Sequence, residues 1–414
     1  MTFIEEMRGR GLVAQLTHEQ ELTAHLSENV VTAYTGFDPT GESLHVGHLL
    51  PIITLRRWQN AGHRVIALIG GGTALIGDPT GKTEMRKMEG SETIDRRLTK
   101  LHRQLGRFLD LQDPHRGLIV NNADWLKGIN YLDFLRDIGL HFNVNRMLGA
   151  ECFRQRMEKG LSFLEFNYMI LQGYDFLELY QRYGCSVQMG GDDQWSNMLS
   201  GMDLIRKKMQ KQAYCMTVPL LVSPQGKKMG KTEKGAVWLD ESLTSAYEFY
   251  QYFRNLPDEM IEKCLCYFTD LSLDTINEVM ARSNINEGKS ILAFEVTSFV
   301  HGKEKAEEAQ ITSQNLFGKS KILGGAHVPE FEVVLNDLTK DEQVAEISTV
   351  DLLDKSKIFP SKSEIRRLIR QGGLFIEDKK VENIDSMLVV ETLKDQSPLL
   401  VRKGKKHYYY LRVL

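Results

Sequence analysis

Two histidines at i and i+3, His45 and His48, close the segment Tyr34-Thr-Gly-Phe-Asp-Pro-Thr-Gly-Glu-Ser-Leu-His-Val-Gly-His48. Pro39 and Gly41 mark a turn between a strand and a helix, so both rings can project from one helical turn beside free backbone N–H groups and a helix dipole that favour phosphate. Gly47 between them has no side chain to block a planar base. Such a pair can donate hydrogen bonds to a phosphate whose charge grows during displacement. The same spacing also fits one capping and one core histidine. A zinc reading is weaker, because the spacing is not H-E-x-x-H and no third ligand offers itself.

A second candidate is Lys227-Lys-Met-Gly-Lys-Thr232, in a glycine-rich loop between Pro224 and Gly235. Alone it reads as a solvated basic loop. Lys228, Lys231 and the Thr232 hydroxyl could also close on a triphosphate and stabilise departing pyrophosphate. Two Gly-Lys-Thr triplets, at 81–83 and 230–232, are not P-loops, since Ile76 and Gln225 stand where the Walker pattern needs its first glycine. Gly70-Gly-Gly72 fails as a dinucleotide fingerprint because Leu75 occupies the third glycine position. A third candidate is Phe163-Leu-Glu-Phe-Asn-Tyr-Met-Ile-Leu-Gln-Gly-Tyr-Asp175, where Tyr168, Gln172 and Asp175 stand at i, i+4 and i+7 on one helical face. That face turns either to water or to a polar ligand, since unpaired polar groups in a core are costly.

These residues need a scaffold. Val30–Tyr34, Leu49–Asn60, Arg64–Gly70 and Ser91–Leu109 read as strand, helix, strand, helix, the order of a doubly wound parallel sheet. From about Leu111 to Tyr183 the pattern is mainly helical, an expected insertion, and sheet signals return at Ser186–Met189 and Met216–Val222. After Asp240 the spacing is helical to about Lys305, and glycines, Pro329 and acidic clusters then mark a connector. The fold expected is α/β, a Rossmann-like doubly wound parallel sheet with a helical insertion, then an α-helical domain and a small α+β domain. The expected domains are 1–240 with an insertion at about 111–185, then 241–317, a linker at 318–349, and 350–414.

The chain has 414 residues, 42% hydrophobic and 26% charged, enough for more than one core. No apolar run approaches the roughly 20 residues of a membrane span, and the start lacks a signal-peptide layout, so a cytoplasmic protein without membrane contact is expected. Five cysteines without C-x-x-C spacing point to neither a disulfide framework nor a zinc site. Net charge is −3, yet residues 351–414 carry 14 Lys and Arg against 9 Asp and Glu. A polyanion would therefore dock at that end. There Arg366, Arg367 and Arg370 fall on a short helix ending at Gly372-Gly373, and Val401–Tyr410 adds basic and aromatic groups suited to phosphate contact and base stacking.

His45-Val-Gly-His48 resembles the H-x-G-H signature of class I aminoacyl-tRNA synthetases and related nucleotidylyltransferases. Lys228-Met-Gly-Lys-Thr232 resembles the class I lysine loop, K-M-x-K-[ST], with Gly230 at the variable place. Together, Tyr34-x-Gly-Phe-Asp-Pro-Thr, Tyr168-x-x-x-Gln-x-x-Asp175 and Gly190-Gly-Asp-Asp-Gln-Trp195 resemble the bacterial tyrosyl-tRNA synthetases over nearly the whole chain. The resemblance implies that Tyr34 and Asp175 hold a tyrosine phenol, and that Asp78, Tyr168 and Gln172 hold its ammonium group. It assigns Gly36, Asp38, Gly47, Gly191, Asp193 and Gln194 to ATP and the adenylate. Thr40, His45, His48, Lys82, Arg86, Lys228, Lys231 and Thr232 are assigned to the phosphates. It also implies ATP with Mg2+ as substrate, no tightly bound metal or organic cofactor, a tRNA partner, and a homodimer through helices around Phe134–Met147. The 241–317 segment would help read the anticodon, and 350–414 resembles an RNA-binding fold of a ribosomal small-subunit protein. Thr35 and Asp192 depart from the family pattern, which frequently has cysteine and serine there. A tryptophanyl synthetase shares the architecture but should not set a carboxylate and a tyrosine against a phenol. A catalytically inert RNA-binding relative would not need both phosphate signatures.

Overall fold

A computed structural model of the protein describes residues 2–78, 80, 91–150, 153, 157–158, 160–222, 226, 229–232, 235–317, 330–334, 346–395, 397–404 and 407–414. They form two compact units, Met1–Thr244 with Gln251–Gly302, and Ser245–Tyr250 with Lys303–Leu414. The helical stretch read as one domain over 241–317 thus divides between the units.

The first unit runs α1 (Phe3–Gly9), β1 (Gln15–Leu16), α2 (Glu19–Glu28), β2 (Thr32–Phe37), α3 (Val46–Asn60), β3 (Arg64–Ile69), α4 (Ser91–Phe108) and β4 (Gly117–Asn121). Next come the helices α5 (Ala123–Leu126), α6 (Tyr131–Asp137), α7 (Val144–Leu148) and α8 (Phe163–Tyr183), then β5 (Cys185–Gly191), α9 (Trp195–Met209) and β6 (Tyr214–Val218). The sheet order is β1-β6-β5-β2-β3-β4, parallel throughout except for β1, which pairs antiparallel with β6. Near-continuous burial in β2, β3 and β6 is what a parallel sheet covered on both faces requires. Chain order reverses between β2 and β5, and a crevice opens beyond the carboxyl ends of strands at such a switch point.

The strand β4 lies inside the stretch read from sequence as a helical insertion. It is a short edge strand with one buried residue and four half-buried ones, so its apolar signal is weak. The first parallel strand begins at Thr32 rather than Val30, which is 72% exposed. The last ends at Val218 because Pro219 has no N–H for the ladder. A small hairpin, β7 (Lys231–Thr232) with β8 (Gly235–Ala236), follows. After α10 (Ala246–Arg254), the helices α11 (Ile261–Phe268), α12 (Leu273–Ala281) and α13 (Ile285–His301) complete this part. Buried Arg57, near the end of α3, donates from Nη2 to Thr269 O at 2.6 Å, and Arg10 reaches Cys266 and Thr269 carbonyls as well. Two guanidinium groups thereby satisfy the carbonyl end of α11 and tie it to the helix that begins with the histidines.

The second unit contains α14 (Lys303–Phe317), β9 (Glu330–Val333), β10 (Glu346–Ser348), α15 (Thr349–Lys355), α16 (Lys362–Arg370), β11 (Leu374–Ile376), β12 (Lys379–Lys380), β13 (Met387–Val389), α17 (Val390–Asp395), β14 (Leu399–Lys403) and β15 (His407–Val413). Its main sheet has the order β12-β11-β14-β15-β9. Helix α16, capped by Ser361, buries Ile365 and Ile369 and leaves Arg366, Arg367 and Arg370 exposed. One expectation fails here. Tyr408 and Tyr409 are buried and Tyr410 is half-buried, because β15 is an internal strand of the sheet, so Tyr408 and Tyr409 are not free to stack on bases. Among the described residues no helix is long and apolar enough to cross a membrane.

Candidate active site

The residues singled out from sequence converge on two adjoining hollows at the switch point. A cleft of about 710 Å3 is lined by Thr40, His45, Gly47, His48, Asp78, Gly191, Asp193 and Gln194. A cavity of about 220 Å3 is lined by Tyr34, Gly36, Asp38, Tyr168, Gln172 and Asp175. Thr40, His48, Pro51, Asp78, Gly191 and Gln194 belong to both walls, so the two are continuous.

At the cleft, His45 is the N-cap of α3, and its Nδ1 accepts the Gly47 N–H at 3.0 Å. His48 Nδ1 accepts the His45 N–H at 3.1 Å. A backbone donor on Nδ1 fixes the neutral tautomer, so the N–H of each ring is on Nε2. Desolvation, with His45 close by, pushes the His48 imidazole down to about 3. The ring is therefore a neutral donor at physiological pH and carries no charge. A Cβ on Gly47 would stand 2.7 Å from His45 Cε1, so the missing side chain makes room for the histidine itself as well as for a ligand.

The lysine loop meets this helix start through main chain. Gly230 has φ +83°, and a Cβ there would lie 3.1 Å from Gly47 N. Its N–H donates to Tyr252 Oη at 2.9 Å, and its carbonyl accepts from Val237 N at 2.8 Å. Lys231 and Thr232 form β7, and their side chains are not described; Lys82, Arg86 and Lys228 lie outside the described residues. Met229, just before the hairpin, and Ala236, at its end, line the cleft.

In the smaller cavity, α8 is started by a Ser162–Glu165 capping box and delivers Tyr168, Gln172 and Asp175 to the lining. Asp175 is 2% exposed. Its Oδ2 accepts from Asn122 Nδ2 at 2.9 Å and its Oδ1 from Trp125 Nε1 at 2.7 Å. Burial nevertheless raises the carboxyl to about 7, against the pull of those two donors. Tyr34, 1% exposed, packs its ring on Phe176 at 5.3 Å, and its hydroxyl has no hydrogen-bond partner among the described residues. Burial and the charge of Asp175 hold that phenol well above its ordinary value, so it stays a donor.

A hydrogen-bond chain runs along the wall of the smaller cavity. Asn122 Nδ2 also donates to Thr73 Oγ1 at 3.0 Å, Thr73 Oγ1 donates to Asp38 Oδ1 at 3.1 Å, and Tyr168 Oη donates to Asp38 Oδ2 at 3.1 Å. Asp38, implied for the adenylate, thus borders the smaller cavity and is not among the residues lining the larger cleft. Gln194 Nε2 donates to Asp78 Oδ2 at 2.9 Å, coupling two residues that the sequence motifs kept in separate groups. Gly70 is obligatory here, since a Cβ would fall 1.9 Å from Asp38 Oδ1.

Sequence reasoning missed Asn122, Trp125, Thr73 and Gln188. Gln188 pairs in register with Tyr34, lines the cavity and holds a buried Oε1 without a partner among the described residues. The signal for Asn122 and Trp125 was the polar pair Asn121-Asn122 closing a strand, and it was invisible without β4. The two residues at which the sequence departs from the family pattern are both hydrogen-bonded. Thr35 Oγ1 donates to Met189 O at 3.1 Å, and Asp192 Oδ1 is occupied by Gln15 Nε2 at 2.7 Å and Thr217 Oγ1 at 2.8 Å. The Asp192 carboxylate is thereby tied to β1 and β6.

Residues 26–318 match the family model for class I tRNA synthetases of the tryptophan and tyrosine type, and residues 330–411 match the C-terminal domain model of tyrosine–tRNA ligases. The chain belongs to this class of tRNA synthetases. It is 53% identical to the tyrosine–tRNA ligase of Caldanaerobacter subterraneus subsp. tengcongensis over 418 residues, covering all of both chains. It is 51% identical to tyrosine–tRNA ligase 1 of Clostridium acetobutylicum, covering 98% of each. A C-terminally truncated mitochondrial tyrosyl-tRNA synthetase of Aspergillus nidulans is 30% identical, with a TM-score of 0.69, over 76% of this chain and 94% of that one. Within the class the chain falls among the tyrosine–tRNA ligases, with ATP, tyrosine and tRNA as substrates.

Proposed function

We propose that the 220 Å3 cavity takes tyrosine, with its phenol between Tyr34 and Asp175 and its ammonium group towards Asp78, Tyr168 and Gln172. The 710 Å3 cleft then takes ATP. The observation carrying this reading is a buried Tyr34 hydroxyl, without a hydrogen-bond partner among the described residues, in one cavity with a buried carboxylate. A phenol supplies what both groups want, whereas phenylalanine leaves them unpaired; tyrosyl-tRNA synthetases are the established example of such discrimination, about 10^5-fold.

The tyrosine carboxylate attacks the α-phosphate of ATP, pyrophosphate leaves, and the terminal ribose hydroxyl of tRNA displaces AMP from the tyrosyl-adenylate. The Nε2–H groups of His45 and His48, with Thr40, stabilise charge on the phosphates, and Lys82, Arg86, Lys228, Lys231 and Thr232 are assigned to pyrophosphate. Asp38, Gly36, Gly47, Gly191, Asp193 and Gln194 hold the adenylate. Positioning and charge stabilisation carry the step, and neither imidazole acts as a base. Mg2+ is assigned to the ATP it accompanies; among the described residues no group of three His, Cys, Asp or Glu is placed to hold a metal.

The exposed arginines of α16 are assigned to tRNA, the 241–317 segment to the anticodon, and the cytoplasm is the compartment these substrates imply. A homodimer is supported by Leu132, Leu140, Val144 and Phe163, 74%, 65%, 55% and 68% exposed in or near α6, α7 and α8. Met147 is buried and Phe134 packs inward, so the interface would use the outer residues of that region. Sedimentation of the wild type against Leu132→Asp tests it. The test of the chemistry is ATP–pyrophosphate exchange across the amino acids: exchange with tyrosine alone is expected, and exchange with tryptophan would overturn the pocket assignment.

A further inference from the structure

Behind the donors that hold Asp175 lies a charged pair outside the catalytic assignments. Asp175, Glu178 and Arg182 stand at i, i+3 and i+7 on one face of α8. Arg182 Nε donates to Glu178 Oε2 at 2.6 Å, and its guanidinium carbon lies 5.4 Å from the centre of the Trp125 ring. The edge of that indole is the donor that meets Asp175 Oδ1 at 2.7 Å. Glu178 is 11% exposed and Arg182 47%, so the acid is the better-fixed member and orients the cation.

We propose that Arg182, oriented by Glu178, is a positioning residue for tyrosine recognition: it clamps the face of Trp125 so that the indole N–H stays on Asp175 and the carboxylate remains an acceptor. The inference rests on Asp175 being the partner of the phenol. A cation over an indole is attracted to the ring quadrupole and draws electron density from the ring, which makes the N–H a better donor. Among the described residues, the titratable and charged groups that act on Asp175 are Tyr34 and Asp38 from the β2 side, and Tyr168, Tyr174 and Glu178 from α8. Asp38 and Glu178 favour its protonated form, and among the described residues the Asn122 and Trp125 donors oppose burial. A weakened Trp125 donor therefore shifts the carboxyl towards the form that gives a hydrogen bond instead of taking one.

The test compares Arg182→Met, which keeps the stem and loses the charge, with Arg182→Lys, which keeps the charge. Tyrosine KM, ATP KM and kcat are read in pyrophosphate exchange across the neutral pH range. Arg182→Met is expected to raise tyrosine KM roughly two- to fivefold, the size of an exposed cation–π contact. Its kcat and ATP KM should hold, the acid limb of tyrosine binding should move to higher pH, and lysine should restore both changes. An unmoved KM and acid limb in Arg182→Met overturns the proposal, as does a fall in kcat that lysine does not rescue. Asp175→Asn separates the two levels: loss of tyrosine preference over phenylalanine there, with a silent Arg182→Met, sinks the clamp alone. An unchanged preference in Asp175→Asn sinks the pocket assignment beneath it.

Discussion

Tyr34→Phe removes one oxygen that, in the free protein, is buried with no hydrogen-bond partner among the described residues. An unpaired buried hydroxyl costs about 1–3 kcal/mol, and deleting it leaves only a small gap beside Phe176. The free variant should therefore be at least as stable as the wild type, and up to about 1 kcal/mol more stable. With tyrosine bound, the same hydroxyl gains a neutral hydrogen bond of about 0.5–1.5 kcal/mol, so the variant should bind tyrosine roughly two- to twelvefold more weakly. Phenylalanine, which makes no such bond, should bind no worse. Thermal unfolding in a tyrosine titration reads both effects on one sample, because ligand stabilisation follows the ratio of concentration to Kd. A free variant that is less stable by more than about 1 kcal/mol would mean that the hydroxyl already has a partner, and the reasoning would fail. So would an unchanged response to tyrosine.

Asp175 supplies a pH signature. Its carboxyl is held at about 7 in the fold against an ordinary 3.8, so its contribution to stability is full below the lower value and is lost as pH rises through the higher. Asp175→Asn should flatten that decline by up to about 1.4 kcal/mol per pH unit, and urea midpoints that fall in parallel would contradict it. Gly47→Ala pushes a methyl to 2.7 Å from His45 Cε1, so adenylate formation should slow on the order of a hundredfold with tyrosine affinity nearly intact. Lost tyrosine binding with a normal rate would reverse the assignment of the two hollows. Asn122→Ala deletes a donor to a carboxylate, worth about 1.5–3 kcal/mol, and should raise tyrosine KM roughly ten- to hundredfold. An effect on ATP KM alone would place Asn122 at the other end of the site.

What the sequence disclosed followed the strength of local signals. His45, Gly47 and His48 could be placed because a strand, a turn and a capped helix follow one another within a few residues. A helical repeat put Tyr168, Gln172 and Asp175 on one face, and the resemblance to tyrosyl-tRNA synthetases, not the spacing, gave that face its ligand. The strand β4 escaped because it lies at the sheet edge and is mostly half-buried, and Asn122 and Trp125 escaped with it. Their role depends on meeting Asp175 from 53 and 50 residues away, which no periodicity encodes. The tyrosines of β15 misled for the opposite reason: an aromatic run beside lysines looks like a stacking surface until the strand is paired on both edges.

The contact between Gly230 and Gly47 bears on how variants of the lysine loop should be interpreted. Tyr252, Val237 and the opening of α3 all grip the peptide backbone at this point, so the loop is moored here through main chain. Replacing a lysine there lowers the charge of the loop and leaves the main-chain contacts of Gly230 in place. Altering either glycine does the reverse, prising apart two segments that lie 183 positions apart along the chain.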